Sequence, residues 1–147
     1  MGCTAELAVF YDESCVVGHV GDSRTYRFRQ GELEQITRDH SWIQAQIDEG
    51  LLTPAEAQKS PFRNIILRAV GTEDSLAVDL LRGRGMPADL YLLCSDGLTS
   101  MIDDQIIQEV LSRPLSLSQK VDQLIEGANT AGGYDNITVI LCEVMAS

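Results

Sequence analysis

Apolar and polar positions alternate through the first third of the chain, where short runs rich in β-branched and aromatic residues follow one another. Residues 5–11 (AELAVFY), 15–20 (CVVGHV), 24–29 (RTYRFR) and 32–37 (ELEQIT) read as strands, separated by turn-prone pieces such as Asp12-Glu13-Ser14 and Gln30-Gly31. Their spacing predicts an antiparallel meander of hairpins. From Ser41 the period lengthens. Ser41 is placed to cap a helix carrying Trp42, Ile43, Ala45, Gln46 and Ile47 and ended by Gly50. Thr53-Pro54-Ala55-Glu56 then forms a capping box with proline at the first helical position, opening a second helix that stops before Pro61. Two small helices among strands predict an excursion from the sheet. Strands return at 75–82 and 88–94, followed by amphipathic helices at 103–112 and 116–128 and a final, largely buried strand at 136–144. Gly83-Arg84-Gly85 and Gly132-Gly133 read as turns; neither has the Gly-Lys-Ser/Thr or Gly-x-Gly-x-x-Gly pattern of a nucleotide loop.

Composition narrows the picture. The chain has 147 residues, 44% hydrophobic, enough for one domain with its own core and no need of disulfides or structural metal. Its net charge is −11, and beyond Arg84 only Arg113 and Lys120 are basic against nine acids. Such a balance repels nucleic acid and anionic membrane surfaces and tolerates divalent cations. No apolar run approaches the ~18 residues of a membrane span, and no signal-peptide pattern opens the chain, so a cytoplasmic location is expected. Met1-Gly2 lacks the hydroxyl residue of a myristoylation start, since Glu6 stands there, and Asn136-Ile137-Thr138 as a glycosylation acceptor would need a secretory route. Cys3, Cys15, Cys94 and Cys142 contain no Cys-x-x-Cys pair, which argues against zinc. The last three sit in apolar strands and read as small buried hydrophobes.

Three aspartates carry the chemistry. Asp22 follows the strand ending at His19-Val20, Asp96 follows Tyr91-Leu92-Leu93-Cys94, and Asp135 precedes the last strand. Each alone reads more readily as a turn residue or helix cap than as a ligand, and Asp103 reads as a cap outright. Three in equivalent settings, brought to one rim of a sheet, would make the oxygen-rich cluster that magnesium and manganese favour. A calcium loop of the Asp-x-Asp-x-Asp-Gly kind is absent from the sequence.

Six segments occur in order: Met1-Gly2-Cys3-Thr4, His19-Val20-Gly21-Asp22-Ser23-Arg24-Thr25-Tyr26, Thr37-Arg38-Asp39-His40-Ser41, Arg68-Ala69-Val70-Gly71, Leu92-Leu93-Cys94-Ser95-Asp96-Gly97-Leu98 and Asp135-Asn136-Ile137-Thr138. Together they resemble the metal-dependent protein serine/threonine phosphatases, the type 2C or PPM family, in their bacterial form. The resemblance implies an α+β fold, a four-layer α-β-β-α sandwich of antiparallel sheets, here partial with N-terminal strands missing. It implies a hydrolase acting on phosphorylated proteins in signal transduction, beside a cognate serine/threonine kinase. It also implies two magnesium or manganese ions, with Asp96 and Asp135 as ligands and Asp22 serving, with Asp96, a third. Residues 43–64 match the family's flap, where Lys59 and Arg63 would meet substrate. No side chain is assigned as catalytic, because a metal-activated water is the family's nucleophile. His40 reads as a structural hydrogen-bonding residue rather than a ligand, and His19 as a satisfied interior histidine rather than a general acid.

The match departs from the family at its start. The phosphate-binding arginine and the Asp-Gly-x-Gly-Gly segment, whose aspartate bridges both metals, have no counterpart in residues 1–147. The stretch 1–147 is therefore expected to be the C-terminal portion of the phosphatase domain, weakly active or inactive by itself, with exposed strand edges that favour self-association. A phosphatase-like module that binds partners without catalysis is the alternative.

Overall fold

The computed structural model describes residues 1–146. Two antiparallel sheets stack face to face. Strands β1 (Ala5–Tyr11), β2 (Ser14–Val20) and β5 (Asp79–Arg84) form one, in the order β1-β2-β5. Strands β3 (Arg24–Arg29), β4 (Glu32–Gln35), β6 (Leu90–Cys94) and β7 (Val139–Glu143) form the other, in the order β4-β3-β6-β7. The two early hairpins are present, but they are not one meander: the chain changes sheets between β2 and β3. The β3–β4 turn is a two-residue loop with positive φ at both Gln30 and Gly31, the conformation whose twist suits a tight hairpin.

Helices α3 (Asp96–Thr99), α4 (Asp104–Ser112) and α5 (Leu117–Thr130) pack on the four-stranded sheet. Their starts follow from the sequence. Asp103 caps α4 by accepting from the Ile106 N–H (3.0 Å), and Ser116 with Gln119 forms a capping box on α5. Ile107, Val110 and Leu111 from α4 and Leu124 and Ala128 from α5 meet Tyr26, Leu90, Leu92 and Cys94 of the sheet in the main core. β6 is buried on both faces, because Tyr91 points the other way into the sheet–sheet interface with Cys15 and Val17. This explains its uninterrupted apolar run. Toward the end of the sandwich that carries Asp22 the interface turns polar: Glu6, His19 and Thr25 meet there.

Helices α1 (Trp42–Asp48) and α2 (Pro54–Lys59) form the excursion, with Ser41 and the Thr53/Glu56 box as caps. Its base is tied by the Trp42 N–H donating to the Ile65 carbonyl (2.9 Å), and Trp42 meets Phe62 edge to face.

Four further expectations need correction. The strand anticipated at 75–82 is β5 at Asp79–Arg84, because pairing with β2 begins at Asp79 opposite His19 and leaves Leu76 and Val78 outside the ladder. Gly83-Arg84 consequently lies in a strand and not in a turn. β7 is an edge strand and only half-buried, so Cys142 on it is partly exposed while Cys15 and Cys94 are buried. Helix α3 has no counterpart in the periodicity, being a single turn after Ser95. No helix among the described residues is long and apolar enough to cross a membrane.

Candidate metal centre

Strand register decides where the aspartates fall. Arg24, the first residue of β3, pairs with Cys94, the last of β6, and Cys94 pairs with Val139, the first of β7. Asp22 lies just before Arg24, Asp96 just after Cys94, and Asp135 shortly before Val139. All three therefore sit on one rim of the four-stranded sheet. The Asp96 and Asp135 turns are locked together: the Ser95 N–H donates to the Thr138 carbonyl (3.0 Å) and the Thr138 N–H donates to Ser95 Oγ (3.0 Å). Gly97 permits this closeness. A Cβ there would collide with the Asn136 carbonyl oxygen and lie 2.9 Å from its carbon. Gly21, at φ +109°, plays the same part beside Thr4.

The carboxylates act on one another. Asp22 is pushed up to about 6 by burial and then by the charges of Asp96 and Asp39. Asp96 is raised by burial and then by Asp135. Among the described residues none of the three joins an ion pair. A rim of mutually repelling carboxylates without a cation matches hard divalent ions in donor chemistry. Their geometry is looser: among the described residues no three His, Cys, Asp or Glu side chains converge closely enough to hold one ion.

Two neighbouring clusters hold the rim in place. Asp39 accepts from Arg24 Nε (2.9 Å) and Nη2 (2.7 Å), so its charge is paired and it is not a free donor. Arg24 Nη1 also donates to Tyr26 Oη (3.0 Å), which donates in turn to Asp104 (2.8 Å). The second cluster centres on His40. The Gly21 N–H donates to His40 Nδ1 (3.0 Å), which fixes the proton on Nε2, and Nε2 donates to Asp79 (2.8 Å). Arg68 Nη1 donates to the other oxygen of Asp79 (3.0 Å). His40 thus ties the residue before Asp22 to β5 and to the return of the excursion. Replacing His40 by alanine strands the Gly21 N–H and is expected to cost about 1–3 kcal/mol in urea unfolding; a variant as stable as the parent would show the tie to be idle.

The description of protein phosphatase 2C matches residues 1–45. Serine/threonine phosphatase stp of Listeria monocytogenes is 40% identical over 143 residues, which are 97% of this chain and 57% of that protein. The chain belongs to the protein phosphatase 2C family. The structure of the Mycobacterium tuberculosis serine/threonine phosphatase PstP/Ppp superposes with a TM-score of 0.94 at 38% identity, covering 99% of this chain and 61% of that one. A catalytic domain of PstP in complex with two manganese ions gives a TM-score of 0.88 at 38% identity, covering 97% and 59%. The type 2C chain thus spans somewhat over half the length of these relatives and corresponds to their C-terminal part.

Of the residues singled out in this type 2C chain, Asp22 and Asp96 are half-buried and Asp135 is exposed, all at the rim. Lys59 ends α2 and Arg63 follows it; both are exposed, and Arg63 donates only to the Gln58 carbonyl (3.4 Å) among the described residues. Asp79 and Glu6 escaped the sequence reading, which held Arg68 only as part of the Arg68-Ala69-Val70-Gly71 segment near the flap and not as a partner of Asp79. Glu6 and Asp79 face each other's neighbourhood only through register, opposite or beside His19, and no local pattern marks them. The signal available was the pair of histidines, whose rings lie 4.5 Å apart and demand acceptors nearby.

Proposed function

We propose that this chain is the C-terminal portion of a serine/threonine protein phosphatase that hydrolyses phosphoserine and phosphothreonine on protein substrates, with Asp22, Asp96 and Asp135 as ligands to magnesium or manganese. The observation that carries this reading is the rim itself: three carboxylates on adjacent strand ends, unpaired with any cation among the described residues, with Asp22 raised by burial and the charge of Asp96, and Asp96 raised by burial and the charge of Asp135. The kinship with named phosphatases, one of them crystallised with two manganese ions, supports it. When bound, such ions activate a water toward phosphorus and offset charge on the phosphoryl oxygens. The chain's own residues supply the carboxylate oxygens, hold Asp96 against Asp135 through Ser95, and steady Asp22 through His40. Residues 43–64 are read as the flap of the one domain, with Lys59 and Arg63 exposed to meet the anionic substrate. A cognate kinase, a cytoplasmic setting and a third ion at Asp22 and Asp96 belong to the same proposal.

Residues 1–147 by themselves are expected to turn over slowly, because no three carboxylates converge on one point among the described residues. The test is manganese titration by calorimetry together with hydrolysis of 4-nitrophenyl phosphate, beside Asp96→Asn. The expected result is weak manganese binding that falls about ten-fold or more in the variant, with any turnover strictly manganese-dependent. Binding indifferent to Asp96→Asn, or hydrolysis that needs no divalent cation, would overturn the assignment.

A further inference from the structure

The last stretch of the chain sets one aromatic ring out in solvent. Tyr134 stands in the loop between α5 and β7, immediately before Asp135, and at 82% it is the most exposed aromatic side chain among the described residues. The ring nevertheless has a seat. Gly132 and Gly133 take φ of +140° and +57°, and their N–H groups donate to the Asn129 and Ala128 carbonyls (3.2 and 3.1 Å), which ties the loop to the end of α5. A Cβ at Gly132 would lie 2.8 and 2.9 Å from Tyr134 Cε2 and Cζ, so the ring rests on bare glycine backbone. The field around it is negative. After Lys120 the sequence holds no lysine, arginine or histidine, while Asp122, Glu126, Asp135 and Glu143 are acidic. Helix α5 is 14 residues long and has no basic residue in its last turn, so the negative end of its dipole goes unmet just before Gly132. Glu126 is exposed one turn before that end.

We propose that Tyr134 is a specificity-determining residue that takes a basic side chain, arginine above all, beside the phosphorylated residue of a substrate protein. The inference rests on the proposed phosphatase reading and names a substrate class within it. A cation over an aromatic face is attracted by the ring's quadrupole, and a guanidinium also stacks on it. The negative end of α5 and Glu126 strengthen that attraction and repel an acidic side chain. Asp135 takes no part in holding the cation, because the rim commits its carboxylate to metal. Position agrees as well. Tyr134 and Asp135 are neighbours in one loop, so a substrate whose phosphate sits at the rim brings its flanking residues past the ring. The flap offers Lys59 and Arg63, of the opposite sign, so a basic flank is taken at the Tyr134 loop and not there.

The experiment measures binding of fluorescein-labelled phosphothreonine peptides to the manganese-loaded chain by anisotropy, read in the cold before turnover. Arginine or glutamate is placed before or after the phosphothreonine, and the parent is compared with Tyr134→Ala and Tyr134→Phe. An arginine peptide is expected to bind about ten-fold tighter than its glutamate counterpart. Tyr134→Ala weakens that peptide about two- to five-fold and leaves the glutamate peptide alone, while Tyr134→Phe binds like the parent. Manganese affinity, read by calorimetry, is unchanged in both variants. No preference for arginine on either side, or an arginine peptide indifferent to Tyr134→Ala, overturns the proposal. So does a Tyr134→Ala chain whose manganese affinity falls along with its peptide affinity, since the ring would then only hold the Asp135 loop. Binding that needs phosphate and manganese but not Tyr134 overturns this proposal and leaves the phosphatase reading standing. Arginine peptides that show no phosphate- and manganese-dependent binding sink that reading and this proposal together.

Discussion

Gly97→Ala is expected to destabilise the protein by about 2–4 kcal/mol and to weaken the manganese binding proposed for the rim. The added methyl has nowhere to go. Its carbon would overlap the Asn136 carbonyl oxygen and crowd both the carbonyl carbon, at 2.9 Å, and Ile137 Cα, at 3.4 Å. These are backbone atoms, so no rotamer change relieves the clash. Relief needs the Asp135–Ile137 segment to move away from the Ser95–Gly97 turn, and that motion breaks the reciprocal bonds between Ser95 and Thr138. Loss of stability and loss of metal binding should therefore travel together. Gly83→Ala is the control: a Cβ at that position meets nothing within 4 Å, and its effect should stay within about 0.5 kcal/mol. Urea unfolding of the two variants side by side checks this. A Gly97→Ala protein as stable as Gly83→Ala would mean that the rim is not built on the close approach at Gly97.

Much of this architecture was open to sequence reading because its signals are local. The Thr53-Pro54-Ala55-Glu56 box, the caps at Ser41, Asp103 and Ser116, and the strand cores of β1 to β4 need only neighbouring residues to declare themselves. The aspartates were legible for a different reason. Each ends or precedes an apolar run, and antiparallel pairing of consecutive strands puts alternate ends on one rim. What stayed hidden depends on partners far along the chain. That β2 and β3 part into different sheets cannot be read from two adjacent alternating segments. The glycine of Ser95-Asp96-Gly97 looks like turn chemistry until the Asn136 carbonyl, 39 residues on, is placed above it. Leu76 and Val78 look like a strand's buried face, yet pairing begins only at Asp79, and both are left exposed. The half-exposure of β7 likewise follows from its edge position, which its apolar composition conceals.

Glu6→Ala is expected to cost about 3–5 kcal/mol at pH 6, the loss that follows when one member of a buried ion pair is removed and the other is left behind. His19 is fully buried, and both of its ring nitrogens face acceptors: Nδ1 the Glu6 carboxylate, and Nε2 the Arg38 carbonyl at 2.8 Å. A ring that donates twice carries both protons and a positive charge. Glu6 also accepts from the buried Thr25 hydroxyl at 2.7 Å, so its removal strands two donors between the sheets. The pH dependence follows from the histidine. Burial works to lower its pKa, but the hydrogen bond and charge of Glu6, joined by the Arg38 carbonyl and the charge of Asp79, outweigh burial and the net displacement is upward. A histidine held above its unfolded value of about 6.5 contributes stability that is fully present below that pH and is lost as pH rises through the folded pKa. The difference between parent and Glu6→Ala should thus be widest near pH 6 and shrink as pH rises through the folded pKa, above which the parent no longer holds a charged ring. Glu6→Gln keeps one acceptor oxygen of the two and no charge, and should fall between the two at pH 6. Urea unfolding across that range decides the matter: a gap that is constant or widens with pH would mean that His19 is buried neutral and that Glu6 serves the sandwich only as a hydrogen-bond acceptor.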